Sequence, residues 1–414
     1  MQKLTGFEWL LVDAANQASH DKLLWDQRID WAMSNFDQLE TIDTPAKERP
    51  LYLKAVMAIR AAQRGEDIGH LVGLDACNSG AQIMSALTGC IAGAKATNLI
   101  NTGSRRDGYT DVTSAASDIL GEGLIIARSD IKNAQMTHLY GSKAEPRNLF
   151  GEDSDELAAF YQANWVVFPG ANELLSDLLN LWQSWTLAHN WKLPDNFHAH
   201  VKVMEKVETR IEIDELDSAT CTYEYYVNEG KESDLKMAAN GIHSIDAYVL
   251  RTMQRRCGYD AAVVNFALTC LRLIAAQRLS GDCEEMVVAE ITQPHHVYME
   301  RFQASNMVDS VILPYLNVGA CNDLSDLHIE KLIKLCELLL THKPFDIITV
   351  HDEFKCHPNN CNQMRRHYIE IFAELAESTI LEDIFMQIGG VIPTYENKDP
   401  SLPALIRASE YPLS

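Results

Sequence analysis

Residues 345–356, FDIITVHDEFKC, decide the reading of the fold. Apolar side chains dominate from Phe345 to Val350 in the manner of a buried strand, and His351-Asp352 then marks a turn. After Pro358 the pattern becomes that of an amphipathic helix carrying Tyr368, Phe372 and Leu375. A carboxylate therefore stands at the end of a strand. A second one lies far upstream, in residues 70–84, HLVGLDACNSGAQIM, where an apolar run stops on Asp75 and a helix is expected from Gln82. Either aspartate taken alone is an ordinary strand end or turn cap. Taken together, carboxylates facing each other across a sheet can hold two Mg2+ ions roughly 3.5–4 Å apart, one activating a hydroxyl and one stabilising a leaving group.

Residues 127–143, ARSDIKNAQMTHLYGSK, supply a third element. Arg128, Lys132 and Tyr140 are separated by four and then eight residues, which on a helix sets them along one side. Arg and Lys so placed can clamp a triphosphate, while the tyrosine ring lies against base and sugar. In isolation the same stripe is an ordinary solvated face, and a Tyr before Gly packs a helix end.

Length and composition set the limits. With 414 residues the chain can bury a large core spread over two or three lobes. Its 47% hydrophobic content, the lack of an 18-residue apolar run and an N-terminus without a signal-peptide pattern describe a cytoplasmic protein with no membrane role. The ten cysteines lack the dense spacing of a secreted disulfide framework and are expected as thiols. A net charge of −23 argues against a protein that grips nucleic acid over its whole surface, so basic groups must gather in one cleft or come from a partner.

The chain is expected to be helix-rich α+β. Helical patterning covers Leu10–Gly65, with breaks near Pro45 and Pro50, and again roughly Val112–Tyr140, where Gly141 is a C-terminal stop. Residues 198–228 alternate apolar and polar side chains as a β-ribbon. Helix returns at His243–Arg256, and a long helical block with polar breaks runs to about Thr341. His351, Cys356, His357, Cys361 and His367 invite a zinc reading, but Cys356 and Cys361 have four residues between them with no second cysteine pair nearby, so His357–His367 is taken as the start of a helix.

These segments resemble motifs A, B and C of the single-subunit phage and mitochondrial RNA polymerases. Asp75, Cys77, Ser79, Gly80 and Gln82 match motif A, and Tyr109 follows Asp75 at the spacing of a family active-site tyrosine. Arg128, Lys132, Tyr140 and Gly141 match motif B, and GIHSIDAYVLR (241–251) resembles the helix that precedes motif C. GFEWLLVDAANQAS (6–19) and the closing ALIRASEYPLS (404–414) resemble further family segments.

The resemblance implies a right-hand palm and fingers without N-terminal domain or thumb. Palm is expected at 1–110, 243–262 and 345–414, fingers at 111–242, and an insertion of unknown role at 263–344. It implies two Mg2+ ions on Asp75, Asp352 and the Ala76 carbonyl, with Lys132 and Arg128 on the incoming nucleotide. Tyr140, aided by His243, would sense the ribose 2′-hydroxyl, and Tyr109, Gly80, Gly141 and His351 would line the substrate.

Two departures matter. Glu353 stands where the RNA enzymes usually have Ser, as in related DNA polymerases, which leaves a family A-like DNA polymerase open. Those enzymes, however, place a Glu where this chain has Gly80. The sequence also has no room before Gly6 for the family's upstream parts. This organisation is similar to the larger, C-terminal subunit of the split polymerase of Schitoviridae, the N-four-like phages, and implies a second subunit, with DNA template, RNA transcript and rNTPs as further partners in an infected bacterial cytoplasm. The ribbon occupies the place of a promoter-reading hairpin but carries five acidic residues, Glu205, Glu208, Glu212, Asp214 and Glu215, so an accessory DNA-binding protein is expected. A non-catalytic assembly subunit of the same fold is a further alternative, which would not need both aspartates.

Overall fold

The computed structural model describes residues 1–121, 126–280, 290–395 and 398–414. Among these, the strands are β1 (Val72–Asp75), β2 (Ala188–Lys192), β3 (His198–Lys202), β4 (Met204–Ile213), β5 (Ala219–Gly230), β6 (Ile348–Val350) and β7 (Glu353–Cys356), set among many helices. The helix-rich α+β expectation is met.

β1, β7 and β6 form one antiparallel sheet in that order, with Val72 opposite Cys356 and Asp75 opposite Glu353. The outer edge of β1 is covered by the closing segment: Ser414 N donates to Asp75 O at 2.9 Å and Cys77 N to Pro412 O at 3.2 Å. The other edge is different. The strand expected to be buried from Phe345 to Val350 is only three residues long and is paired on one side, and its Ile348 and Val350 are 53% and 48% exposed. Apolar composition marked a strand there, but burial depends on a neighbour that no described residue supplies.

The helix behind the sheet, Ser79–Thr88, is buried from Gly80 to Thr88 and packs against helices Lys236–Cys257 and Cys361–Glu377. Its one long polar side chain, Gln82, is fully satisfied: Nε2 donates to Thr97 O and Pro412 O, each at 2.9 Å, and Oε1 accepts from Tyr368 Oη at 2.7 Å. This buried network fixes how the Asp75 turn sits on the helix at 361–377. At the other side of the sheet, helix Gly6–Ala15 starts with a Thr5–Glu8 capping box and buries Trp9 to Ala15. Its Asp13 bonds His70 at 2.6 Å, just ahead of β1.

Two sequence expectations need refinement. The Gly-punctuated helical stretch expected over Val112–Tyr140 is two helices, Gly108–Leu120 and Arg128–His138. Gly121, at φ 75°, stops the first, and residues 122–125 lie outside the described residues. The ribbon over 198–228 is two unconnected pairings: β3 turns back onto β2, whereas β4 pairs with β5. Alternation shows that residues are in strands but not which strand they meet. Cys356 and Cys361, set aside above as metal ligands, sit in the core with sulfurs 3.7 Å apart, and the helix read over His357–His367 runs from Cys361 to Glu377. The nine described cysteines are free.

The stretch at 263–344 builds a second apolar core of its own, running from Tyr259 and Val264 to Leu335 and Leu339. Its spine, Ala261–Ser280, has the length and mean hydropathy (1.3) of a membrane-crossing helix, but it buries Val264, Leu268, Leu271 and Ile274 in that core. Residues 281–289 lie outside the described residues. Asp309, fully buried, clamps this unit to the rest: it accepts from Thr252 Oγ1 at 2.9 Å and from Arg255 Nε at 2.9 Å and Nη2 at 2.7 Å. Asp309→Asn removes the charge but keeps the shape, and is expected to lower stability by about 2 kcal/mol, as for a charge-assisted hydrogen bond lost in the interior. Chemical denaturation of the variant and parent measures it.

Candidate active site

Two clefts meet at the turn between β6 and β7. The first is a cavity of about 470 Å3 bounded by Asp75, Ala76, Asp352 and Glu353 on the sheet side, by Arg105, Asp107 and Tyr109 before and within helix Gly108–Leu120, and by Arg128 and Lys132 on helix Arg128–His138. The second, about 410 Å3, is lined by Ser79, Tyr140, His243, Asp246, His351 and Tyr368, with Asp352 again on its wall. Asp75 and Asp352, 277 positions apart in the chain, thus come to one cavity beside Lys132.

Strand pairing explains the convergence. Asp75 is the last residue of β1 and faces Glu353, the first of β7, and the Ala76 amide donates to Asp352 O at 3.3 Å. His351, at φ 57°, makes the tight turn that presents Asp352 at the hairpin's tip. Gly73 has no side chain for a reason: a Cβ there would meet Glu353 Oε1, while the same carboxylate's Oε2 ion-pairs Lys355 at 3.0 Å.

The electrostatics of this corner are unfavourable without a cation. Surrounding protein, then Asp352, then Glu353 push the Asp75 carboxyl up to about 6, although its side chain opens onto the cavity. Among the described residues no group of three or more His, Cys, Asp or Glu forms a closed metal site. Two carboxylates and a backbone carbonyl make an open donor set instead, the kind that suits Mg2+ with waters and phosphate oxygens filling the remaining positions. The crowded negative charge fits a divalent cation. The Ala76 carbonyl already accepts from Asn78 N at 2.9 Å and keeps a second lone pair.

Arg128 is not free. It ion-pairs Asp107, with Nε at 2.8 Å from Oδ2, and its guanidinium lies 5.5 Å from the Tyr109 ring centre. Burial pushes Asp107 up, but the bond and charge of Arg128 together with the Thr110 hydroxyl and Lys22 outweigh it and hold the carboxyl below its usual range. Lys132, exposed, has no such partner among the described residues.

Tyr140 lies beyond the end of the basic helix, so the one-sided Arg-Lys-Tyr stripe divides between the two clefts. Its ring stacks on His243, centres 4.7 Å apart and planes at 9°. Burial first, then Asp246 and Asp352, push its hydroxyl up to about 12, so it remains protonated and a hydrogen-bond donor at neutral pH. That hydroxyl also explains Gly80, where an added Cβ would stand 2.4 Å from Tyr140 Oη. Gly141, at φ 93°, closes the helix against Leu179 and Leu235 and lines neither cleft.

Sequence reading missed Lys22, Arg105, Arg106 and Asp107 in the first cavity and Asp246 in the second. Asp246 was within reach, since it lies one helical turn after His243. Lys22 and Arg105 sit in irregular segments with no pattern to single them out.

Carboxylates converging at one end of a sheet can, through bound metal ions, serve displacement at phosphorus, and this chain is a nucleotidyltransferase. Residues 3–145 match the family model of the DNA-dependent RNA polymerases, a segment containing Asp75, Tyr109, Arg128, Lys132 and Tyr140 but not His243 or Asp352. No curated protein matches the chain.

Proposed function

We propose that the chain is the catalytic subunit of a phage DNA-dependent RNA polymerase, transferring ribonucleoside monophosphate from rNTP to the 3′-hydroxyl of a growing transcript with release of pyrophosphate. The observation that carries it is the meeting of Asp75 and Asp352 in one cavity with Lys132, from segments 277 residues apart. In this reading β1, β6 and β7 belong to the palm and residues 111–242 to the fingers.

Asp75, Asp352 and the Ala76 carbonyl would hold two Mg2+ ions, which when bound activate the attacking hydroxyl and screen the leaving pyrophosphate. Lys132 neutralises the triphosphate as charge moves onto it. Arg128 reaches a phosphate by exchanging Asp107 for it, so nucleotide entry and release of that ion pair are coupled. Tyr140, held by His243, donates from its hydroxyl toward the sugar, and Tyr109 offers a ring beside the same cavity.

The unpaired edge of β6, with Ile348 and Val350 outward, supports completion of the sheet by a second subunit. The acidic β4–β5 ribbon favours promoter recruitment through an accessory DNA-binding protein. A DNA polymerase is the second reading. Gly80 weighs against it, because the Tyr140 hydroxyl fills the space that a side chain there would need.

Template-directed incorporation by the chain with its copurifying subunit, compared between rNTPs and dNTPs, tests the proposal; preference for dNTPs, or no incorporation, overturns it. Tyr140→Phe removes only the hydroxyl and should reduce discrimination against dNTPs about tenfold, the worth of one hydrogen bond of roughly 1.4 kcal/mol. The ratio of kcat/KM for the two sugars measures it, and an unchanged ratio removes the sugar-sensing role.

A further inference from the structure

Of the three arginines that line the first cavity, two have found counter-charges. Arg106 pairs with Asp111 at 2.8 Å and Arg128 with Asp107. Arg105, on the same cavity wall, has no carboxylate within ion-pair distance among the described residues. Its Nη2 reaches Cys77 Sγ at 3.4 Å, and its Nε and Nη1 are closed off from solvent with no partner among the described residues. The chain has 58 acidic side chains to 35 basic ones, so an unpaired guanidinium is not a shortage of anions.

A second guanidinium adds to the imbalance. Arg28 is fully buried and spends its donors on neutral acceptors: Leu23 O at 2.9 Å, Asn16 Oδ1 at 2.8 Å and Asp21 O at 2.7 Å. Burial, and after it repulsion from Arg105, lower the Arg28 pKa to about 9. Arg105 thus lines the cavity without a counter-charge and repels a second, buried guanidinium. A guanidinium on a cavity wall with no carboxylate partner is available to an anionic ligand. Cys77 lies two residues from Asp75, which sets the position close to the carboxylate pair.

We propose that Arg105 is a phosphate-binding residue of this cavity, its guanidinium turning from Cys77 to donate to phosphate oxygens of the substrate. The proposal rests on the polymerase reading for the identity of that substrate. Phosphate oxygens come from two sources there, the polyphosphate of the incoming nucleotide and the last phosphodiester of the transcript. A guanidinium binds either, because its planar donors match the oxygen geometry of both.

Arg105→Ala and Arg105→Lys in the full chain with its copurifying subunit separate the possibilities. Affinity is measured for inorganic tripolyphosphate and for a DNA template annealed to an RNA primer, alongside the thermal midpoint and rNTP incorporation. The expected result is that Arg105→Ala weakens one of the two ligands at least tenfold, Arg105→Lys recovers part of the loss, and the ligand-free midpoint stays level or rises, since a repulsion with Arg28 is removed. Loss on tripolyphosphate assigns the nucleotide, and loss on the primed template assigns the transcript. Unchanged affinity for both overturns the proposal, as does a lowered midpoint, which would make Arg105 structural. The two binding arms need no turnover, so a parent chain that incorporates no nucleotide counts against the polymerase reading alone.

Discussion

Asp352→Asn and Asp75→Asn each lower ribonucleotide incorporation by at least about a thousandfold, the scale of losing one charge-stabilising group from a reacting centre, without unfolding the chain. The structural half of this expectation follows from the corner's electrostatics. Asp75 is pushed up to about 6 by burial first and then by Asp352 and Glu353, so an amide at either aspartate relieves repulsion instead of breaking an attractive pair. Mutation of a carboxylate that served only the fold would lower stability, whereas one held in place for a cation raises it or leaves it level when no cation is present. The sign also appears in pH. A carboxyl with a raised folded pKa binds its proton more readily in the folded chain than in the unfolded one. In chelator, that group's contribution to stability therefore improves as pH falls from 7 through about 6 towards its ordinary value of 3.8. Asp352→Asn removes the second cause of the shift and flattens this dependence. Thermal midpoints of parent and variant at several pH values, with and without Mg2+, measure it. A variant that retains substantial incorporation refutes the role of its aspartate, and one that lowers the midpoint shows a structural carboxylate.

What made these aspartates legible is local: apolar patterning ends on Asp75 and on the turn at His351-Asp352, and strand ends are written in consecutive residues. That they meet depends on β1 pairing with β7 rather than β6, which is a choice among distant segments. The same limit hid the true ribbon, since alternation over 198–228 is identical whether His198–Lys202 pairs forward or back onto Ala188–Lys192. The basic stripe misled for a related reason. Four-residue spacing placed Arg128 and Lys132 on one face, but the helix ends at His138, so the count to Tyr140 does not continue round it. Arg128's pairing with Asp107 and the isolation of Arg105 are outcomes of competition between side chains for partners, and neither residue type nor spacing records who wins. The second core at 259–340 showed only as extra length between motifs, because helices of two cores look alike in hydrophobic period.

Gly80→Val is expected to cost about a hundredfold in kcat/KM for rNTPs, the usual penalty when a group at a reacting centre is moved by about 1 Å. A Cβ at position 80 would stand 2.4 Å from Tyr140 Oη and 3.2 Å from its Cζ, so the ring must shift to admit any side chain. The hydroxyl end of a tyrosine normally swings aside at little cost. Here it is restrained, since the ring lies flat on His243 at 4.7 Å and its backbone is held by Gly141, whose φ of 93° few other residues adopt. Gly80 itself has helical surroundings and no positive φ, so the substitution acts through the ring and not through backbone strain. A double-mutant cycle isolates this. With Tyr140→Ala in place the obstacle is gone, and adding Gly80→Ala should then cost less than about twofold, although the same change in the parent costs much more; residues in contact are non-additive in this way. Steady-state kcat/KM for rNTP and dNTP in the four proteins reads both the rate and the sugar preference. Additive losses would mean that Gly80 is required for some reason other than the tyrosine, and the link between the Asp75 turn and the sugar-facing ring would fail with it.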